Sequence, residues 1–315
     1  MDSYLRLKKL PPRFDIVIPF LKFESELVNE FALLRKNILM QDIHFFMVEP
    51  LTEIPVWAQD WLPNCKVFDF SSKPEAIKLL KSQKNLGVFI PSPFHQSLAE
   101  SIHGELRSLK LNRLKYEVPS QFNFNYFAWT ILKDRQIVIC EQPASRYPLG
   151  RHEFNEDKET PPNRAYLKMW EALCLGYIHI KPDQSVIDLG SSPGGWSWVL
   201  SQQAKKVYSV DRAALDPKIA CISNIQHVIG DAFQVAPSDY KDCDWLFSDI
   251  ICTPDRLLSL VQSWQDHSSV KNFMCTIKFK GPCDFDIMRE FLKIRSSRII
   301  HLYHNKNEVT WIKQE

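Results

Sequence analysis

Apolar residues in the C-terminal half of the chain fall into short blocks, each closed by a polar residue or a glycine turn. Val186-Ile187-Asp188-Leu189 reads as a buried strand, and Gly190 through Trp196 as a tight turn that opens a helix. A second apolar block, Lys206-Val207-Tyr208-Ser209-Val210, closes on Asp211. The chain from Arg164 onward then predicts a helix, strands over 185–189, 207–210, 226–229 and 245–247, the last running into Ser248-Asp249. Next come a helix with Thr253 as N-cap and Pro254 as first residue, a strand over 272–279, a helix from Asp284, and closing strands over 299–303 and 309–312. Such alternation predicts a doubly wound, mainly parallel sheet with ligands gathered at the carboxyl ends of its strands.

The N-terminal half alternates too, without a glycine-rich turn. Residues 14–20 and 44–48 read as extended, with a helix over 24–37 between them that carries acids early and Arg35 and Lys36 late, as the helix dipole favours. A strand over 67–70 precedes a helix capped by Ser72 and running through 74–83; a strand over 87–90 precedes a helix over 96–111. Residues 127–132 and 136–140 form a hairpin around Lys133-Asp134-Arg135. The expectation is a smaller N-terminal α/β domain over 1–143, a linker over 144–163 marked by Pro148, Pro161 and Pro162, and a second domain over 164–315.

Composition narrows this only a little. A 315-residue chain that is 45% hydrophobic has enough apolar material for two ordinary cores, and its net charge of +2 identifies no partner. Local basic clusters say more: Arg6, Lys8, Lys9 and Arg13, and then Arg107, Lys110, Arg113 and Lys115 on the helix over 96–111 and its exit. The eight cysteines lack CxxC pairs, which argues against a metal framework or disulfide ladder. With no signal-peptide core and no stretch of membrane-spanning length, a cytoplasmic protein without membrane attachment is expected.

The glycine turn lets backbone approach a ligand closely, and an acid about twenty residues downstream is where an open α/β sheet meets a ribose diol. The turn lacks the GxGxxG spacing that seats a pyrophosphate, so a nucleoside cofactor without a diphosphate is favoured, S-adenosylmethionine above all. Asp231 follows the third strand and could accept from an adenine amino group with Phe233 over the ring; the less favoured alternative is an Asx turn. Asp249 and Lys278 end neighbouring strands, Lys168 lies on the preceding helix, and Glu308 opens the last strand. Each alone reads as a surface charge, but together they could meet at one rim.

Lys168, Asp249, Lys278 and Glu308 resemble, in order and context, the Lys-Asp-Lys-Glu tetrad of the FtsJ-like (RrmJ-type) ribose 2′-O-methyltransferases. Arg164-Ala165-Tyr166-Leu167-Lys168 leading into Glu171-Ala172, the turn after Asp188, Val207 to Asp211, Thr276-Ile277-Lys278-Phe279, and Leu302-Tyr303-His304 with Glu308-Val309-Thr310 are similar to the RlmM-type branch, which acts on a cytidine of large-subunit ribosomal RNA. The matching segments lie within almost half of the chain. The resemblance implies a Rossmann-like S-adenosylmethionine-dependent domain whose cofactor contacts fall on Gly190, Ser192, Pro193, Gly194, Gly195, Trp196, Asp211, Asp231 and Asp249. It implies RNA, ribosomal above all, as partner, and Lys168, Asp249, Lys278 and Glu308 as the catalytic set.

In that reading Lys278 is the general base, kept partly neutral by burial or by Lys168; Asp249 orients the amines, and Glu308 holds Lys278 or the ribose. No metal is called for. Upstream the resemblance thins to Tyr147 to Arg151 and to Trp57-Ala58-Gln59-Asp60-Trp61, so a THUMP-like RNA-binding N-terminal domain is expected from position, although it is short for the family. The alternatives are methylation of another RNA, such as a transfer RNA or cap, and a non-catalytic RNA-binding protein on the same scaffold.

Overall fold

Among the described residues, strand-forming blocks interrupted by helices build two sheets of seven strands each. The computed structural model describes residues 10–92, 94–107, 109, 111–118 and 124–315, so Arg6, Lys8, Lys9 and Lys110 of the basic clusters lie outside the described residues. The chain divides into two compact units. One takes the described residues of 10–113 and 124–152, the other those of 114–118 and 153–315.

The first unit contains β1 (Phe14–Pro19), α1 (Glu24–Leu33), β2 (Ile38–Gln41), β3 (Phe46–Val48), β4 (Ala58–Asp69), α2 (Lys73–Lys81), β5 (Leu86–Phe89), α3 (Gln96–His103), β6 (Tyr126–Leu132) and β7 (Gln136–Cys140). Its sheet order is β2-β3-β1-β4-β7-β6-β5, antiparallel except at β5–β6. Buried carboxylates fasten its loops by accepting from backbone N–H groups. Asp15 takes those of Leu51 and Asn64 and the Trp61 indole N–H, while Asp60 takes that of Ser145 and the Tyr126 hydroxyl. Burial pushes the Asp60 carboxyl up to about 7. The segment over 144–163 is divided: Ala144 N–H donates to Trp61 O and Ser145 to Asp60 within the first unit, while residues from 153 onward belong to the second.

Two helices stop short of the lengths expected from their pattern. α1 ends at Leu33, because Arg35 takes φ 54° and turns the chain so that Ile38 to Gln41 can join the sheet. Arg35 and Lys36 therefore lie beyond the helix and do not cap its dipole. α3 ends at His103 with Gly104 at its C-cap, which leaves Arg107, Arg113 and Lys115 outside the helix.

The second unit begins with α4 (Tyr166–Cys174) and continues through β8 (Ser185–Leu189), α5 (Gly195–Ser201), β9 (Lys206–Asp211), α6 (Pro217–Ala220), β10 (Ile225–Ile229), β11 (Cys243–Ser248), α7 (Pro254–His267), β12 (Asn272–Lys278), α8 (Phe285–Leu292), β13 (Ser297–Ile300) and β14 (Glu308–Lys313). The order is β10-β9-β8-β11-β12-β14-β13. Every pair from β10 to β12 is parallel, whereas β14 runs antiparallel to both β12 and β13. Chain direction thus brings the carboxyl ends of β8, β9, β10, β11, β12 and β13 to one rim, together with the amino end of β14. Helix starts follow local chemistry: the Asp284 carboxylate accepts from the N–H groups of Asp286 and Ile287, and Asp216 from Lys218.

Trp311 anchors the antiparallel edge, fully buried on β14 with ring centroids 5.9 Å from Phe273 and 5.5 Å from Phe291. Trp311→Ala should cost about 3–5 kcal/mol, the range for emptying a buried aromatic site. Denaturant unfolding followed by circular dichroism checks this, and a loss under about 1 kcal/mol would mean that the edge does not depend on this packing.

Candidate active site

The rim of the second sheet gathers opposite charges because strand register leaves little choice. Lys278 is the last residue of β12 and stands directly across from Glu308, the first of β14. Asp249 follows β11, which pairs with β12, and Lys168 reaches the same place from α4. Lys168 Nζ lies 2.8 and 2.7 Å from the two oxygens of Asp249 and 2.9 Å from Glu308 Oε1. Lys278 Nζ lies 2.7 Å from Asp249 Oδ1 and 3.4 Å from Glu308 Oε2. Each carboxylate bridges both ammonium groups, so the four form a closed ring of charge. The Lys278 side chain is 22% exposed and that of Lys168 only 7%, which makes Lys278 the amine a substrate can reach.

Burial is the largest influence on Lys278 and pushes its pKa down, but the charges and hydrogen bonds of Asp249 and Glu308 together carry it above the ordinary lysine range. This corrects the expectation that burial or Lys168 keeps Lys278 partly neutral: two adjacent carboxylates outweigh the burial. For Glu308 burial pushes up, yet Lys168 and Lys278 win and hold it at about 2.

Beside the ring lies a cleft of about 350 Å³ lined by Gly190, Ser192, Asp211, Arg212, Asp231, Ala232, Phe233, Asp249, Ile250, Ile251 and Arg256. That volume is in the range of small-ligand sites. Gly190 has φ 79°, and a Cβ there would sit 2.8 Å from Ile250 Cβ, so only glycine lets the turn and the loop after β11 come together. Asp211 accepts from Ser192 N–H at 3.0 Å and Ala213 N–H at 2.9 Å, which fixes its carboxylate at the cleft wall. Asp231 does form an Asx turn, accepting from Phe233 N–H at 3.0 Å, and it still faces the cleft. That bond and its ion pair with Arg212 hold its carboxyl below the usual range. Below the turn, burial pushes Asp188 up to about 7 while Ser197 Oγ donates to it at 2.7 Å.

Not every expected cofactor contact lines this cleft. Pro193, Gly194 and Gly195 are not among the residues that line it, and Gly195 is required because a Cβ would meet Asn163 Oδ1 at 2.2 Å. Trp196 corrects its expectation more clearly. Its indole is buried, its N–H donates to Ala165 O at 2.9 Å, and its ring lies 5.9 Å from Lys168 Nζ. It supports the ring of charge from beneath.

Other residues at the rim have no sequence signal that singles them out. Arg256, on the first turn of α7, lays its guanidinium 3.6 Å from the centroid of Phe233, and Arg212 projects from the residue after Asp211. Asn305 is buried, accepts from Leu302 N–H and Thr310 Oγ, and donates to Glu308 Oε1 at 3.4 Å. Among the described residues no group of His, Cys, Asp and Glu is arranged to hold a metal ion, and no helix is long and apolar enough to cross a membrane.

The cleft fits an adenosine-type cofactor. Asp211 is braced by two backbone N–H groups, Asp231 and Phe233 stand further along the wall, and the Ser191 hydroxyl in the turn is buried without a hydrogen-bond partner among the described residues. The sheet order and the glycine turn are those of a Rossmann-like domain, with the lysine–carboxylate set at the carboxyl ends of its strands.

Residues 162–279 match the FtsJ-like methyltransferase family, and Glu308 lies beyond the matched segment. The chain is similar to ribosomal RNA large subunit methyltransferase M of Xylella fastidiosa, 29% identical over 163 residues that make up 47% of this chain and 46% of that protein. It is also similar to the protein of that name from Methylococcus capsulatus, 25% identical over 200 residues, 59% of this chain and 53% of that one. The chain spans about half the length of the curated relatives it matches. Among solved structures, TrmN from Thermus thermophilus aligns over 96% of this chain and 100% of its own at 11% identity and a TM-score of 0.40, a likeness too distant to speak to function.

Gly190→Ala tests the turn. Forcing a Cβ into the left-handed region and against Ile250 should cost about 1–3 kcal/mol, and Ile250→Ala in the same chain should return part of it. Urea unfolding of the single and double variants measures both, and no recovery in the double variant would contradict the close approach as the cause.

Proposed function

We propose that the protein is an RNA ribose 2′-O-methyltransferase that acts on a cytidine of large-subunit ribosomal RNA, with Lys278 as general base. The closed ring of Lys168, Asp249, Lys278 and Glu308 beside an adenosine-sized cleft carries the reading. S-adenosylmethionine supplies a methyl group on a positive sulfur, already activated for displacement. A ribose hydroxyl, by contrast, is a poor nucleophile until its proton is taken. Lys278, the more exposed amine, is placed to receive that proton. Lys168, held by both carboxylates, fixes Asp249 and Glu308 so that Lys278 keeps one orientation. Asp211 and Asp231 hold the nucleoside end of the cofactor.

The first unit is proposed to bind the RNA. Lys81, Lys84 and Arg107 line a hollow of about 760 Å³ there, at the β5 edge. Lys81→Glu with Lys84→Glu should weaken RNA binding at low salt and flatten the dependence of log affinity on log salt by about 0.7 for each phosphate no longer neutralised. Cofactor affinity should not change. RNA binding unaltered by both substitutions would assign the hollow another purpose.

Lys278 sets the pH dependence. Only neutral lysine accepts a proton, and the carboxylates raise its pKa, so the neutral fraction is small at pH 7 and grows about tenfold per pH unit until that pKa is reached. The single-turnover rate at saturating cofactor should therefore climb with unit slope from about pH 7 to 9. Lys278→Arg should abolish transfer while leaving cofactor affinity within a few-fold, since a guanidinium stays protonated. A flat profile, or substantial turnover by Lys278→Arg, would make Lys278 a positioning group only.

A further inference from the structure

The loop between β13 and β14 carries a second constellation that the methyl-transfer chemistry leaves unused. Glu171 lies one helical turn beyond Lys168 on α4 and is buried. Its carboxylate accepts from Tyr303 N–H at 2.8 Å, from His304 N–H at 3.2 Å and from His304 Nδ1 at 2.8 Å. The loop is thus fastened to the helix that supplies Lys168, and through Asn305 to Glu308. Because β13 runs parallel to β12, its carboxyl end delivers this loop to the rim that holds Lys278.

The imidazole of His304 is oriented by a buried carboxylate on Nδ1, which directs Nε2 away from it, and the side chain retains 12% exposure. The next residue but one, Lys306, is exposed on the same loop. A ribose that offers its 2′-hydroxyl always brings its flanking phosphodiesters to within a few ångströms. The ring of charge cannot neutralise them, since its two ammonium groups are taken by two carboxylates. On the cleft side, Asp211 and Asp231 are matched in number by Arg212 and Arg256, and Arg212 is already paired with Asp231.

Resting on the proposed RNA substrate, we infer that His304 is a phosphate-binding residue. Its Nε2–H donates to a phosphodiester oxygen next to the target ribose, while Glu171 balances the imidazolium through Nδ1. A cation between two anions, with both ring nitrogens donating, is a strong and directional contact. Glu171 is the positioning residue for it.

Equilibrium binding of single-stranded RNA fragments of large-subunit ribosomal RNA to the full chain, across a salt series, tests this. His304→Ala should bind about tenfold more weakly at low salt, with the slope of log affinity against log salt reduced by about 0.7. His304→Gln keeps a donor for Glu171 but no charge, and should show the same loss. His304→Lys restores the cation and should recover both slope and affinity, while cofactor affinity stays at the wild-type value in all three. A wild-type slope in His304→Ala, or a His304→Lys variant as weak as His304→Ala, would overturn the assignment while methyl transfer by the wild type leaves the proposed function standing. A wild-type protein that neither binds nor methylates RNA would overturn both.

Discussion

Two ammonium groups and two carboxylates, mutually neutralised at the rim of one sheet, are the constraint on which the rest of the second unit depends. Side-chain exposures from 7% to 22% mean that these charges have given up most of their water, and each is compensated chiefly by its partners in the ring. Removing a single partner from a buried set of this kind costs about 3–5 kcal/mol, so the ring tolerates no loose geometry. The register of β12 against β14, the position of α4 and the path of the chain after β11 together close it. Trp196 beneath Lys168 and Asn305 beside Glu308 complete its walls.

The cleft beside the ring is organised by carboxylates already committed to backbone donors. Asp211 and Asp231 each hold the N–H of a residue two positions ahead, so their remaining acceptor capacity faces the cavity with little freedom. Arg212 and Arg256 place positive charge on the same wall, one paired with Asp231 and the other stacked on Phe233. A cofactor with a polar nucleoside and a positive sulfur meets a surface whose donors and acceptors are largely set before it arrives.

Much of the second unit was legible in the sequence because its strands are continuous apolar blocks that end in chemistry. Asp211, Asp249 and Lys278 are visible as polar residues closing such blocks, and the parallel sheet that follows puts them at one rim. The protonation of Lys278 was not legible. It turns on the distances from one amine to two carboxylates, and no spacing along the chain encodes them. Trp196 misled for a related reason: the turn pattern shows where a helix begins but not which of its first side chains face inward. In the first unit, Ile38 to Gln41 went unassigned because a short strand recruited by a sheet carries no periodic signal of its own. Arg256 and His304 owe their places to neighbours distant in sequence, Phe233 and Glu171, and one chain read alone does not reveal such pairings.

The chemistry proposed for the ring turns on the atom that receives the methyl group. Large-subunit ribosomal RNA incubated with the protein and isotopically methyl-labelled S-adenosylmethionine, digested to nucleosides and analysed by mass spectrometry, identifies that atom. A label on the ribose of a 2′-O-methylcytidine, absent when the RNA carries 2′-deoxycytidine at the modified position, is the predicted result. A label on a base, or no transfer to any RNA class under conditions where the cofactor binds, would contradict it.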